Sequence, residues 1–286
     1  MKIALTGATG FIGSHVVKVL VRCGMEVTAT SRNKERAVGS SWYQKVKYVP
    51  YDMNAGREDV YDFLGRPDVL IHLAWEGLPN YAASFHMERN LPANRLFLER
   101  MIKSGLRSLV VTGTCFEYGM QTGCLSEEAA PAPVVLYGQA KDHLRRNIEQ
   151  WHQEYGLDYK WVRLFYMYGQ GQNEKSLLSQ LVKALDRKDC SFNMSAGEQE
   201  RDFLPVEEVA ENIVKIALQD KVNGVINCCS GKPVTVRKFV EDYLAGVGKK
   251  IDLNLGYYSY PPHEPMSFWG DTKKMHRALS AGKGVL

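Results

Sequence analysis

The stretch MKIALTGATGFIGSHVVKVL, residues 1–20, contains the pattern that decides the fold. Residues 2–6 form a short apolar run typical of a buried strand, and residues 11–20 carry apolar side chains at helical spacing. Three glycines, Gly7, Gly10 and Gly13, stand between and within these segments at intervals of three residues. Because glycine lacks a Cβ atom, it permits a sharp turn and a close approach of the backbone to another group. The stretch therefore predicts a strand, a tight turn and a helix packed on a sheet.

The turn between this strand and helix is a candidate anion site. The first turn of a helix leaves backbone N–H groups without partners, and these groups attract negative charge. In a strand–turn–helix unit the group that fits is the pyrophosphate of a dinucleotide. The alternative is a glycine-rich connection that binds nothing. The strand before the glycines and the helix after them favour the dinucleotide.

The 286-residue chain has the apolar and charged fractions of an ordinary globular protein. Its net charge of +4 is too small to indicate a nucleic-acid surface, and no basic run accompanies it. We expect no membrane span, because no run of about eighteen apolar residues occurs, and no signal peptide, because the first strand begins at residue 2. The six cysteines lack CxxC spacing, so we expect reduced thiols in the cytoplasm and no metal site.

Strand and helix patterns alternate along the rest of the chain. The predicted strands cover residues 26–30, 46–49, 68–73, 108–112, 159–164 and 225–228. The predicted helices cover residues 83–103, 138–155, 174–187 and 205–219. This alternation predicts an α/β fold in which helices cover both faces of a parallel sheet.

The pattern becomes irregular from about residue 166, with short strands and loops rich in Gly, Pro and Tyr. We interpret residues 1–165 as a dinucleotide-binding domain and residues 166–286 as a smaller substrate lobe. Within that lobe, residues 203–228 are predicted to return to the sheet.

Tyr137 and Lys141 lie four residues apart near the start of the helical pattern LYGQAKDHLRRNIEQW. Residues at this spacing project from one face of a helix. A lysine ammonium beside a phenol favours the phenolate, so we expect Lys141 to lower the pKa of Tyr137 toward neutrality. Tyr137 would then be a usable general acid or base. The alternative is an ordinary helix that carries a tyrosine and a solvated lysine. The threonines at residues 112–114 close a preceding strand, where ligands of an open parallel sheet bind, and this favours the catalytic interpretation.

The motifs extend over most of the chain, in the order TGATGFIG, HLAW, TGTCFEYG, YGQAK, RLFYMYG and RDFLPVEEVA. This order resembles that of the extended short-chain dehydrogenases/reductases, in particular the NAD(P)-dependent epimerase/dehydratase family that acts on nucleotide sugars. The resemblance covers residue 1 to about residue 210, and more loosely DTKKM at residues 271–275. It implies a Rossmann fold, with its doubly wound parallel sheet, and a catalytic set of Thr114, Tyr137 and Lys141.

The resemblance also implies roles for three further residues. Arg201 would contact the diphosphate of the nucleotide sugar, and a guanidinium suits bidentate phosphate binding. Asp52 would accept a hydrogen bond from the adenine amino group, and Asn90 matches an asparagine of the long central helix. The alternatives are a solvated Arg201, an Asp52 that only caps a helix, and an Asn90 without a special role.

Departures from the family pattern narrow the chemistry. Members that remove water carry Asp and Glu directly after the catalytic threonine, whereas this chain has Cys115 and Phe116, so we expect no dehydration. Tyr166 stands where many members have an asparagine near the diphosphate. The C-terminal region is short for the family, which indicates an abbreviated sugar lobe.

The end of the second predicted strand, VTATSRNKER at residues 27–36, indicates the cofactor. An NAD site usually places an acidic residue there to hold the ribose 2′-hydroxyl. No acid occurs between Val27 and Lys34, and Ser31 and Arg32 occupy the place. Because an arginine suits a 2′-phosphate, we predict NADP(H) as the preferred cofactor and NAD(H) as the second choice. The alternative is that Arg32 is a solvated charge beside a helix cap.

These features together predict an oxidoreductase. The stretch TGTCFEYG resembles that of sugar-nucleotide 4-ketoreductases, which make deoxysugars for bacterial surface polysaccharides. We therefore predict NADPH-dependent reduction, at C4, of a nucleotide-linked 4-keto-6-deoxyhexose. Tyr137 would donate the proton, Thr114 would position the keto oxygen, and Lys141 would hold the nicotinamide ribose. Two alternatives stay open: a nucleotide-sugar 4-epimerase with bound NAD, and a non-catalytic NADP(H)-sensing protein.

The predicted binding sites follow from these interpretations. The residues predicted to bind the dinucleotide are Gly7, Thr9, Gly10, Phe11, Ile12, Gly13, Ser31, Arg32, Asp52, Met53, Leu73, Ala74, Trp75, Asn90, Thr112, Tyr137, Lys141 and Phe165. The residues predicted to bind the substrate are Trp75, Cys115, Phe116, Tyr137, Tyr166 and Arg201. Tyr81 and His86, in the loop of residues 75–90, are expected beside the sugar unless they pack under the loop. The resemblance also implies a homodimer formed by the helices at 83–103 and 138–155.

Overall fold

The computed structural model describes residues 1–282 of the chain. The strands are β1 (Lys2–Thr6), β2 (Glu26–Ser31), β3 (Lys47–Pro50), β4 (Val69–His72), β5 (Ser108–Thr114), β6 (Gly123–Leu125), β7 (Asp158–Leu164), β8 (Tyr166–Tyr168), β9 (Ser191–Asn193), β10 (Glu200–Pro205), β11 (Gly224–Cys228), β12 (Pro233–Thr235), β13 (Asp252–Asn254) and β14 (Phe268–Gly270). The helices are α1 (Phe11–Arg22), α2 (Lys34–Val38), α3 (Val60–Phe63), α4 (Leu91–Lys103), α5 (Leu136–Tyr155), α6 (Leu177–Arg187), α7 (Val206–Ala217), α8 (Val236–Val247) and α9 (Lys273–Ala281). Across these residues, no helix combines the length and the apolar character needed to cross a membrane.

The main sheet has seven strands in the order β11-β7-β5-β4-β1-β2-β3, and every neighbouring pair is parallel. The central strands β1, β4 and β5 are buried along nearly their whole length because both faces of the sheet are covered. In β1, Ile3 and Leu5 belong to the core on one face, and Ala4 belongs to the core on the other. The predicted α/β Rossmann fold with a doubly wound parallel sheet is confirmed.

Two helical layers cover the sheet. On one face α1, α7 and α9 bury residues such as Val17, Ile213 and Met275. On the other face α3, α4 and α5 bury residues such as Phe97 and Leu144. Apolar side chains recur on one side of each long helix. That side packs against the sheet, and the polar side faces outward.

The opening glycines explain how β1 connects to α1. Gly7 has a φ of +73°, in the left-handed region that favours glycine. A Cβ atom at Gly13 would lie 2.1 Å from the carbonyl oxygen of Gly7, so the helix can approach the turn only with glycine there. In the sheet, β1 lies between β2 and β4. The strand order reverses here, because the chain runs from β1 to β2 and β3 on one side and then returns to β4 on the other side. This reversal is where a doubly wound sheet opens a crevice for ligands.

A smaller part of the molecule is built on short strands. β10 pairs with β8 and β12 in a separate three-stranded sheet, whereas β11 lies at the edge of the main sheet beside β7. Helices α6 and α8 form their own apolar cluster, which includes Leu181 and Val240. Within the predicted returning segment, α7 and β11 thus pack on the main sheet, and β10 does not.

Most predicted elements lie within a few residues of the observed ones, but the helix predicted over 83–103 begins later. Residues His86–Asn90 form a π-helical turn, and α4 starts at Leu91 with a proline in its first turn. Proline is tolerated there because the first N–H groups of a helix have no intrahelical partners. The loop before this turn is therefore free to reach the carboxyl end of the sheet.

Candidate active site

A cleft of about 830 Å³ lies at the carboxyl ends of β1 to β4, at the reversal of strand order. Its walls come from four successive strand ends and from the loop after β4. The lining residues are Thr6, Gly7, Thr9, Gly10, Thr30, Ser31, Arg32, Asn33, Glu35, Arg36, Tyr51, Asp52, Met53, Leu73, Ala74, Trp75, Glu76, Gly77, Phe85 and Arg89. Ten of the predicted dinucleotide-binding residues therefore share one cavity.

The glycine turn forms the floor of this cleft. The N–H of Gly10 donates to the carbonyl of Gly7 at 2.9 Å, and α1 begins at the next residue, Phe11. Phe11, Ile12 and Gly13 do not line the cleft with side chains, but they form the first helical turn, whose N–H groups have no intrahelical acceptor. This backbone geometry fits a dinucleotide pyrophosphate, since the donors and the helix dipole face one point.

The far end of the cleft is formed by the ends of β2 and β3. The hydroxyl groups of Ser31 and Tyr48 are hydrogen-bonded at 2.9 Å. Asp52 lines the cleft and also caps a short turn, because its side chain accepts from the N–H of Asn54 at 2.9 Å. The capping role that the sequence left open is thus present, and the contact of Asp52 with adenine stays a prediction.

A chain of three charged side chains crosses the rim of this end. Nη1 of Arg32 lies 2.6 Å from Oε1 of Glu76, and Nη2 of Arg89 lies 3.3 Å from Oε2 of the same carboxylate. Arg32 is 55% exposed and Glu76 is 28% exposed. Arg32 is therefore at the predicted place, but it is paired with an acid.

The loop after β4 is anchored by β1. The hydroxyl of Thr6 accepts from the N–H groups of Leu73 and Ala74 at 3.2 and 3.3 Å. The same hydroxyl is hydrogen-bonded to the ring of His72. Burial lowers the pKa of His72 to about 3, so the ring is neutral near pH 7 and its role is structural.

The predicted catalytic residues meet at the carboxyl end of β5. Thr114 ends this strand, and Tyr137 and Lys141 occupy the first turns of α5. All three are at least nine-tenths buried. Nζ of Lys141 donates to the carbonyl of Thr112 at 2.9 Å and lies 4.1 Å from the ring centroid of Trp75. The first turns of α5 and the end of β5 therefore meet beside Trp75, which lines the cleft.

Gly138 allows this convergence. A Cβ atom at this position would lie 2.8 Å from the carbonyl oxygen of Phe116. Only glycine therefore lets α5 approach the turn that follows Thr114 so closely.

The protonation states differ from the expectation. Burial raises the pKa of Tyr137, Tyr81 and Glu117 raise it further, and hydrogen bonding with Thr114 opposes the rise. Burial lowers the pKa of Lys141 to about 7, and the charge of Glu117 opposes the fall. The expected lowering of the Tyr137 pKa by Lys141 is wrong for this structure, because burial dominates and the ammonium is directed to Thr112. Tyr137 is consequently protonated at neutral pH and suited to donate a proton.

A buried ion pair supports Thr114 from beneath. The carboxylate of Glu117 accepts from the N–H of Thr114 at 2.8 Å, from Nε1 of Trp161 at 2.9 Å and from Nε of Arg163 at 2.7 Å. The side chains of Glu117 and Arg163 are 0% and 1% exposed. This pair fixes the backbone from which the hydroxyl of Thr114 projects.

Aromatic rings enclose the mouth of the cleft near Tyr137. The ring centroid of Tyr81 lies 5.7 Å from that of Tyr137 and 4.6 Å from that of Phe116. Nε1 of Trp75 donates to Nδ1 of His86 at 3.0 Å, and the other ring nitrogen of His86 contacts the carbonyl of Asn80. Burial lowers the pKa of His86, so the neutral ring holds Trp75 in place.

Three other predicted substrate residues, Cys115, Tyr166 and Arg201, lie near the carboxylate of Glu264. Arg201 is buried, with Nη2 3.1 Å from Oε2 of Glu264 and Nη1 2.8 Å from the carbonyl of Glu200. The hydroxyl of Tyr166 also donates to Glu264. Cys115 is buried, and burial raises the pKa of its thiol, so it is not an acid or base for removal of water.

Comparison with known proteins tests the family interpretation. Residues 3–229 match the NAD dependent epimerase/dehydratase family. The chain belongs to this family. The resemblance drawn from the sequence motifs is confirmed.

Two relatives and one solved structure are similar to this epimerase/dehydratase-family protein over most of its length. The dTDP-6-deoxy-L-talose 4-dehydrogenase (NAD(+)) of Aggregatibacter actinomycetemcomitans is 29% identical over 272 residues, which is 94% of the chain and 99% of that protein. The GDP-6-deoxy-D-talose 4-dehydrogenase of the same organism is 26% identical over 239 residues, which is 81% of the chain and 75% of that protein. The structure of MoeE5 in complex with UDP-glucose and NAD matches with a TM-score of 0.83 at 25% identity and covers 100% of the chain and 96% of MoeE5.

Several residues predicted to bind the cofactor of this family member lie outside the cleft lining. The amide of Asn90 donates to the carbonyl of Glu76 at 3.0 Å, so it holds the loop after β4. Phe165 packs in a separate apolar cluster with Tyr118 and Phe268. Thr112 contributes its carbonyl to Lys141. Their contacts with a dinucleotide stay predictions.

Three acidic residues of the candidate site were not predicted from the sequence: Glu76, Glu117 and Glu264. Glu76 directly follows the HLAW motif, so its position at a strand end was visible in the sequence. Glu117 and Glu264 gave no such indication, because their partners Arg163 and Arg201 are 46 and 63 residues away along the chain.

Proposed function

We propose that this protein catalyses NAD(P)(H)-dependent interconversion of a ketone and a hydroxyl group at C4 of a nucleotide-linked 6-deoxyhexose, with net reduction as the main direction. The observation that carries the proposal is the meeting of Thr114, Tyr137 and Lys141 at the end of β5, beside Trp75 of the cleft lining. The names of the two relatives support it, since both specify a nucleotide-linked 6-deoxytalose and position 4.

The proposed reaction assigns one task to each residue. A bound nicotinamide dinucleotide supplies the hydride, and negative charge then develops on the C4 oxygen. Tyr137 donates its proton to that oxygen, because its raised pKa keeps the phenol protonated at neutral pH. The hydroxyl of Thr114 donates a hydrogen bond to the same oxygen and stabilises the charge. Lys141 is placed beside the mouth of the cleft, where the nicotinamide ribose would lie.

The absence of an acid–base pair next to Thr114 supports reduction over dehydration. Cys115 is a buried thiol with a raised pKa, and Phe116 has no titratable group. Neither side chain can remove a proton from the sugar or protonate a leaving hydroxyl group. We therefore propose that the C4 ketone is the group on which the protein acts.

The cofactor preference is part of this proposal. The predicted preference for NADP(H) rests on the free charge of Arg32, and the ion pair with Glu76 weakens that argument. The relative of 29% identity carries NAD(+) in its name, and MoeE5 is described with NAD. We propose that the protein uses NAD(H) at least as well as NADP(H).

The test is an assay of net cofactor oxidation. The protein is mixed with NADH or NADPH and with a dTDP-linked or GDP-linked 4-keto-6-deoxyhexose, and both cofactor and sugar are followed. We expect one cofactor oxidised for each sugar reduced. A 4-epimerase would instead interconvert two C4 epimers with no net change of cofactor, and a sensing protein would bind the cofactor without turnover. Either result would contradict the proposal.

We also propose that the protein acts as a cytoplasmic homodimer. The helices α4 and α5 lie side by side on one face of the sheet, and α4 exposes Leu96, which is 41% accessible. The resemblance found in the sequence supports the pairing of these two helices between protomers, and Leu96 would then lie at the interface. The molecular mass in solution at micromolar concentration tests this, and a monomer mass would contradict it.

A further inference from the structure

The rim of the cofactor cleft contains an acid that neither the sequence pattern nor the family motifs assign to a role. Glu76 lies directly after Trp75 and lines the cleft together with Arg32 and Arg89. Each oxygen of its carboxylate contacts a different arginine, Oε1 with Arg32 at 2.6 Å and Oε2 with Arg89 at 3.3 Å. The carboxylate therefore neutralises the arginine that would otherwise face a 2′-phosphate.

The position of Glu76 is held by its surroundings. The amide of Asn90 donates to the backbone carbonyl of Glu76 at 3.0 Å. The next residue, Gly77, has a φ of +80°, and a Cβ atom there would lie 2.2 Å from the ring of Phe85. The backbone of Glu76 is thus held by Asn90, and the chain turns tightly against Phe85 directly after it.

The charges around the cleft are balanced. The lining contains three arginines, Arg32, Arg36 and Arg89, and three carboxylates, Glu35, Asp52 and Glu76. A 2′-phosphate would add a charge of about −1.5 to −2 at neutral pH. The neutral 2′-hydroxyl of NAD(H) adds none, so it does not require that Arg32 be released from its ion pair. Glu76 is the carboxylate that pairs directly with Arg32.

We infer that Glu76 sets the choice between NAD(H) and NADP(H), by holding Arg32 in an ion pair and so favouring NAD(H). This inference rests on the proposed function, since it concerns the dinucleotide of the same site. It assigns cofactor selectivity to the loop after β4, whereas the sequence pattern places it at the end of β2 alone.

The test is the ratio of the affinities for NADPH and NADH, measured by titration calorimetry on the full-length protein. Glu76→Gln keeps the size of the side chain and removes its charge. We expect it to shift the ratio toward NADPH about tenfold or more, because Arg32 is then free to form charge-assisted hydrogen bonds with the 2′-phosphate. In an Arg32→Gln background the same substitution should change the ratio by about twofold at most, as expected when the partner is already absent.

Glu35→Gln is the matched control. Glu35 also lines the cleft and carries the same charge, but it lies in the first turn of α2 and forms no ion pair with Arg32 among residues 1–282. A shift with Glu76→Gln that clearly exceeds the shift with Glu35→Gln supports the inference. An unchanged ratio in Glu76→Gln, or equal shifts in both variants, overturns it. Failure of the wild-type protein to bind either dinucleotide would overturn the proposed function as well, so the two failures are distinguishable.

Discussion

Two of the glutamate–arginine pairs in this protein, Glu117–Arg163 and Glu76–Arg32, lie in different environments and have different consequences. Glu117 and Arg163 are 0% and 1% exposed beneath Thr114, whereas Glu76 and Arg32 are 28% and 55% exposed at the rim of the cleft. An exposed pair adds about 0–1 kcal/mol to stability, because water screens the charges. A buried pair cannot lose one partner without leaving an uncompensated charge. The buried pair therefore fixes the backbone of Thr114, whereas the rim pair is held only weakly.

Hydrogen bonding sharpens this difference. Glu117 accepts from the side chains of Trp161 and Arg163 and from the N–H of Thr114, so any change there reaches the threonine proposed to act in catalysis. The carboxylate of Glu76 pairs with Arg32 and Arg89, which both line the cleft, so a change there is expected to act on a bound dinucleotide. Substitutions in the proposed catalytic region that Glu117 supports can therefore be contrasted with a substitution at the rim.

The largest effect is expected for Tyr137→Phe. This variant keeps the ring and removes the proton donor, so turnover should fall about 100- to 10,000-fold while folding and dinucleotide binding persist. Tyr81→Phe is the matched control, since Tyr81 packs against Tyr137. Burial raises the pKa of both tyrosines, that of Tyr81 to about 12. We expect a much smaller loss in the control. Wild-type turnover by Tyr137→Phe would show that the reaction uses another acid.

The next effect compares the two pairs directly, with the same substitution in each. Glu117→Gln leaves the guanidinium of Arg163 buried without a counter-charge, so the free energy of unfolding should fall by about 3–5 kcal/mol. Glu76→Gln should change it by less than about 1 kcal/mol. Denaturant unfolding of both variants measures the two values. Similar losses would mean that burial does not separate the two regions.

The smallest of the three effects concerns Lys141 and pH. Its pKa is lowered to about 7 in the folded protein, from an ordinary value of 10.5. Between these two values the unfolded chain binds more protons, so this group makes the folded state more stable as pH rises, by about 1.4 kcal/mol per pH unit at most.

Lys141→Met removes this dependence. The stability of the wild-type protein relative to the variant should therefore increase between about pH 7 and about pH 9, and it should be flat below about pH 6. Unfolding experiments at matched pH values measure the difference. A difference that does not vary with pH would show that Lys141 keeps an ordinary pKa in the folded protein.

Local requirements made part of this structure predictable from sequence. Gly7 and Gly13 are needed for a left-handed φ and a close approach, and both needs are visible within one strand–turn–helix unit. Tyr137 and Lys141 were predicted to lie together because residues four apart project from one face of a helix. The position of Arg32 at the end of β2 was predictable for the same reason.

Contacts between distant segments were not predictable. Nothing near Glu117 in the sequence indicates Arg163, and nothing near Arg201 indicates Glu264, because these pairs form only when the sheet and the C-terminal loop assemble. The pKa of Tyr137 was predicted in the wrong direction for a related reason. The spacing shows that Lys141 is near, but it does not show that both groups are buried, and burial dominates both pKa values.

The most direct test of the central claim is the fate of a label. The wild-type protein is given a nucleotide-linked 4-keto-6-deoxyhexose together with reduced dinucleotide that carries deuterium at C4 of the nicotinamide, on one face or on the other in separate reactions. We predict that one of the two forms delivers its deuterium to C4 of the sugar, one atom for each cofactor oxidised. A reduced or epimerised sugar without deuterium at C4 in both reactions would contradict the account.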